Sequence, residues 1–214
     1  MKLKVTIPTS LSDIKLSQYQ KFIKTTKDSE DANFINRQMI GIFCNVPDSA
    51  IGKLRKLDYD EMILKVTEVL NSKSDLISIT HYEGKELGFI PNNFEDLTVS
   101  ELADIDNFIK DVSTYHKAME VLYRPIKQKL KGRYLIEDYE PTGNGLDLTL
   151  DVVMGAIVFF YDLMNDLLNC TQNFIAEEVR TNKKLQNLGV NGDGIKTFTD
   201  WLEEVFSNLR KLAS

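Results

Sequence analysis

The chain has 214 residues, 43% hydrophobic and 27% charged, with 26 Lys and Arg against 32 Asp and Glu. This is ordinary globular composition and excludes the disordered, collagen-like and disulfide-scaffold classes. A formal charge of −6 and a pI near 5.1 argue against a nucleic-acid binder, which gathers cations against phosphate.

The elements are read in chain order. Lys2 to Pro8 alternates Leu3, Val5 and Ile7 with polar residues, the period of a half-buried strand. Ser17-Gln18-Tyr19-Gln20 has the form of a capping box and starts a helix carrying Tyr19, Phe22 and Ile23. After the polar break 27–31, a second helix buries Phe34, Ile35, Met39, Ile42 and Phe43. Pro47 opens a short third helix with Ile51 and Leu54. Asp58-Tyr59-Asp60-Glu61 leads into Met62, Ile63, Val66, Val69 and Leu70, apolar at spacings of three and four.

From Leu76 the pattern turns to β. Ile77 and Ile79 alternate with polar residues, and Leu87 to Ile90 follows Glu83-Gly84-Lys85, so a hairpin is predicted. Thr98 and Glu101 cap a helix with Leu102, Ile105, Phe108 and Ile109 inward. Another helix, through Tyr115, Met119 and Leu122, ends where Pro125 disfavours helical geometry at Arg124. Residues 132–145 read as extended and loop-like. The longest helix is predicted from Leu148 to about Val179, and its half with Val152, Val153, Ile157, Val158, Phe159 and Phe160 is apolar nearly all round. Gly189 to Gly194 is a flexible joint before a terminal amphipathic helix. The expected fold is mainly α with a small β-hairpin or sheet component. It divides into a helical domain, 1–188, and a glycine-jointed helix, 189–214.

Targeting and redox signals are sparse. Cys44 and Cys170 both sit among apolar residues, where a free cysteine behaves as a small buried hydrophobe. Met1 to Val5 lacks an apolar stretch of signal-peptide length. The longest apolar run, 152–161, is about ten residues against roughly 20 for a bilayer span. A cytoplasmic protein, or one in a particle assembled there, is expected.

His81 and His116 have no ligand partner at zinc spacing. No nucleophile elbow, phosphate loop or dinucleotide fingerprint is present. Asn191 to Gly194 lacks the acidic ladder of a calcium loop. Asp162 and Asp166, four apart on one helix face, read either as a carboxylate pair or as a wet helix edge meeting Arg124 or Lys117. Arg124 itself is read as a structural anchor, through helix-end carbonyls or a carboxylate. Lys127, Lys129, Lys131 and Arg133 read as a solvated strand or loop edge, with nucleic acid or an acidic protein partner as the sharper alternative. No catalytic, cofactor or metal residues are assigned, so no enzyme and no cofactor are expected.

Six phrases taken together carry a resemblance. They are Ile7-Pro8 through Ile14-Lys15-Leu16-Ser17-Gln18-Tyr19-Gln20, then Leu87-Gly88-Phe89-Ile90-Pro91-Asn92 and Glu101-Leu102-Ala103-Asp104-Ile105-Asp106. Val121-Leu122-Tyr123-Arg124-Pro125-Ile126, Ile136-Glu137-Asp138-Tyr139 and Gly155 through Tyr161 follow. This ordered series, over residues 3–180, resembles a family of virion proteins of crAss-like tailed phages. The resemblance implies a non-enzymatic structural protein near the portal vertex, present in several copies and bound to portal or capsid proteins. A tail assembly chaperone is the alternative. Phe198, Trp201 and Phe206 on the terminal helix would then be interface anchors, or would pack on the protein's own core.

Overall fold

The computed structural model describes residues 5–90, 97–131 and 133–162. Two compact units divide the chain at 157/158, and all but 158–162 of the described residues belong to the first. The 188/189 boundary, the glycine joint, Cys170, Asp166, Phe198, Trp201 and Phe206 lie outside the described residues.

The fold is mainly helical with one small antiparallel sheet. Helices α1 (Leu16–Thr26), α2 (Ala32–Phe43), α3 (Asp48–Ile51) and α4 (Lys56–Leu70) come first. Strands β1 (Ile79–Tyr82) and β2 (Lys85–Phe89) follow, then α5 (Val99–Ile109) and α6 (Tyr115–Leu122). Strands β3 (Tyr123–Leu130) and β4 (Arg133–Ile136) close the sheet, and helix α7 begins at 150 and is described to 162.

The N-terminal helices form as their apolar spacing dictates, with caps shifted from the sequence reading. Helix α1 starts two residues early: the Lys15 amide donates to Gln18 Oε1 at 3.0 Å. Ser17 instead donates through its amide and hydroxyl to Asp147, at 2.8 and 2.9 Å. Helix α4 likewise begins at Lys56 rather than at Asp58. Asp31 caps α2 by accepting from the Asn33 amide. Phe22, Ile40, Phe43, Met62 and Val66 meet in one buried cluster, joined by Leu150 from the start of α7. The predicted N-terminal strand is absent over its described part: residues 5–9 lie in no strand. Val5 and Ile7 still turn toward the core cluster while Thr6 faces out. The alternation tracked burial, and among the described residues no neighbouring backbone supplies a ladder.

The sheet runs β1-β2-β3-β4, each pair antiparallel. Its first hairpin is the one predicted. Glu83 and Gly84 take φ of 48° and 78°, the left-handed pair of a two-residue turn whose twist matches the strands. The second hairpin sharpens the reading of 132–145 as extended and loop-like: Arg133–Ile136 is a strand paired to β3. Pro125 ends α6 as expected, yet β3 passes through it. Its missing N–H falls at the last pair with β2, Leu87↔Pro125, while its carbonyl accepts from the Glu137 amide at 2.9 Å. A proline is tolerated where a ladder is ending.

Helix α7 corrects a second expectation. Val152, Val153, Ala156 and Phe160 are buried, but Val158 is 53% exposed. The helix is therefore one-sided where the sequence read apolar all round. No helix of the described residues is long and apolar enough to cross a membrane.

Candidate functional site

The ionisable groups at the sheet are organised from Arg124 outward. Its position on β3 follows from the helix-to-strand switch at Leu122–Tyr123, which places Arg124 opposite Gly88. The guanidinium is only 11% exposed, and Nη1 donates to Glu101 Oε1 at 2.7 Å. Among the described residues the partner is thus a carboxylate of α5 rather than helix-end carbonyls.

Glu101 has two tasks. Its Oε2 accepts from the Thr98 amide and hydroxyl, at 2.6 and 2.8 Å, while its own amide donates to Thr98 Oγ1 at 3.2 Å. This is a closed capping box, which satisfies donors that a helix start leaves free. One carboxylate therefore fixes the start of α5 and ties it to β3. Arg124 Nε has no partner among the described residues.

Beside this pair lies a cleft of about 650 Å³ between the sheet and the segment 137–146. Leu87, Tyr123 and Pro125 contribute its sheet wall. Five carboxylates line it (Glu83, Glu120, Glu137, Asp138 and Glu140) against three cations, Lys85, Arg124 and Lys127. Arg124 is already neutralised by Glu101, so the cleft is negative. Tyr139, also in the lining, has its phenol pushed up to about 12 by burial, by the charge of Asp104 and by its hydrogen bond to Asp104. That phenol keeps its proton at neutral pH and adds no charge. Among the described residues no three His, Cys, Asp or Glu converge where they could hold a metal ion. The carboxylates thus make a broad negative wall.

The sequence-flagged basic residues run from Lys127, in the cleft lining, to Arg133 at the start of β4. Lys127 donates to Asp138 at 3.3 Å and Lys129 to Glu86 at 2.6 Å. His81 is exposed on β1, and its Nε2 is 4.0 Å from Glu86. His116 is on α6, with Nδ1 3.1 Å from Gln20 Nε2, and burial holds its pKa below the usual value. Asp162 is exposed on α7. Of these residues, Lys129 and His81 meet at one oxygen, Glu86 Oε1.

Sequence reasoning missed Glu101 as the partner of Arg124, and it missed the acidic cleft. The capping box was a visible signal for Glu101, since its second oxygen is left pointing away from the helix start. The cleft had no local signal, because its carboxylates come from 83, 120 and 137–140. No protein-family model matches this chain, and no curated protein or solved structure matches it either.

Proposed function

We propose that this chain is a non-enzymatic structural protein of a tailed-phage virion, placed at the head–tail junction in several copies and bound there to portal or capsid proteins. The observation that carries the reading is where the resembling phrases fall in space. Leu87-Gly88-Phe89 pairs with Tyr123-Arg124-Pro125 residue for residue. Glu101, which opens the next phrase, holds Arg124, and Ile136 pairs with Ile126.

Four of the six phrases therefore meet in one piece of scaffold, the sheet and the helix tied to it. A likeness concentrated in packing and pairing supports a shared framework for docking. The resemblance also fits a second reading, an assembly chaperone that leaves the finished particle. The exposed Leu130 and Leu135, 51% and 52% accessible, give such a chaperone an apolar contact.

One experiment tests both. Particles purified from a phage encoding this chain are inventoried by mass spectrometry, and density is examined at the portal vertex. Presence at a stoichiometry above one, with density beside the portal, supports the structural role. Absence from washed particles, with abundance in infected cells, overturns it in favour of the chaperone.

A further inference from the structure

The faces of the sheet follow from register. Phe89↔Tyr123 and Leu87↔Pro125 are direct pairs, and residues two apart on a strand share a face. A register shift between Ile126 and Gln128 then puts Gln128 opposite Leu135 and Leu130 opposite Arg133. This bulge keeps Gln128, Leu130, Arg133 and Leu135 on the face that carries Leu87, Phe89 and Tyr123. At the β2 end that face is buried: Leu87, Phe89 and Tyr123 are at most 3% exposed. At the hairpin end Leu130 and Leu135 are about half exposed, because β3 there pairs only with β4. An apolar face runs out past its cover.

Charge changes sign along the same face. Residues 128–135 hold no carboxylate; Arg133 is on this face and Lys131 precedes it in the turn, whereas Lys129, opposite Tyr134, is on the other face. Lys129 is engaged by Glu86, and neither Lys131 nor Arg133 forms an ion pair among the described residues. The cleft bounded by Leu87, Tyr123 and Pro125 is negative, and Glu83, Glu137 and Glu140 in its wall have no ion-pair partner among the described residues. A positive tip with two bare leucines and a negative cleft thus share one surface. A two-fold axis through such a surface lays each tip on the other copy's cleft and closes the assembly, the requirement for an isologous contact.

We infer that the chain forms a two-fold dimer in which the β3–β4 tip of each copy seats on the acidic cleft of the other, with Leu130 and Leu135 covered between them. Charge complementarity selects a second copy as the occupant, since Lys131 and Arg133 of the tip and Glu83, Glu137 and Glu140 of the cleft have no ion-pair partner among the described residues. The inference does not rest on the virion reading. A dimeric chain absent from particles would sink only that reading, and a monomeric chain found in particles would sink only this one.

Sedimentation velocity of the full chain at about 100 µM, where a contact of micromolar affinity is mostly formed, should show a dimer that dissociates as salt screens the charges. Lys131→Glu with Arg133→Glu reverses the tip, and Glu137→Lys with Glu140→Lys reverses the cleft. Each double variant alone should dimerise at least about tenfold more weakly. An equimolar mixture of the two should recover a dimer, because both tip-to-cleft contacts are again opposite in sign. Leu130→Asn with Leu135→Asn is an independent arm that leaves charge untouched and should also weaken association. Circular dichroism of each variant checks folding, and if one charge variant fails to fold, the leucine arm decides. A monomeric wild type, charge variants that dimerise unchanged, or a mixture that recovers nothing overturns the inference.

Discussion

Arg124 and Glu101 show how one buried pair can bind two elements. Removing either partner leaves a charge in a site that is 11% or 7% exposed, a change that typically destabilises by about 3–5 kcal/mol. Arg124→Met should therefore lower unfolding free energy by about 3 kcal/mol in urea titration. Glu101→Gln should be nearly as damaging, although glutamine still completes a capping box. The double variant should lose less than the sum of the two, since no buried charge is left without a partner. Additive losses would mean that the two groups are not coupled. The sequence singled out Arg124 as an anchor and the α5 capping box marked Glu101, but among 32 acidic residues nothing local said that these two would meet. Glu101 lies 23 positions away and arrives there only when α5 docks against β3.

At the scale of elements, Gly155 on α7 offers a test whose sign is informative. A Cβ at this position would run into the Asp75 carbonyl and come within 3.3 Å of Leu76 Cα. Both are backbone, so neither can swing aside. In a free helix, Gly155→Ala would stabilise by about 1 kcal/mol. Here it should destabilise by about 1–3 kcal/mol through overpacking, read as a lower urea midpoint with an unchanged slope. A stabilised variant would show that α7 does not lie against the 75–76 segment. Local signals served the helices well: the α5 capping box and the apolar spacing of α2 and α4 are visible in sequence because neighbours along a helix are neighbours in the chain. They served β3 and β4 poorly. Residues 126–136 alternate too little to declare themselves, and the pairing of Tyr123, Arg124 and Pro125 with β2 crosses the whole of α5 and α6.

The whole molecule should show its buried acids in alkali. Burial pushes the Cys44 thiol up to about 11 and the phenols of Tyr115 and Tyr139 up to about 12; Tyr123 is raised further still. Their reference values are 9.0 for the thiol and 10.0 for the phenols. Above these values the unfolded chain releases protons that the folded chain retains, so stability falls as pH rises. The contribution is complete below about pH 9 and fades through the folded values, with the thiol acting first. Urea midpoints measured from about pH 8 to 10.5 should decline, and Cys44→Ala should flatten the earliest part of that decline. A flat profile would contradict the burial of these groups.

Helix content, a minor β component, the first hairpin and the burial of Cys44 were all written in the order of residues, because each depends on spacing within a few positions. The second hairpin, the partner of Arg124, the bare side of α7 at Val158 and the acidic cleft were decided only when distant segments came together. Contact between such segments is set by docking and register, and a one-dimensional pattern has no period that records it.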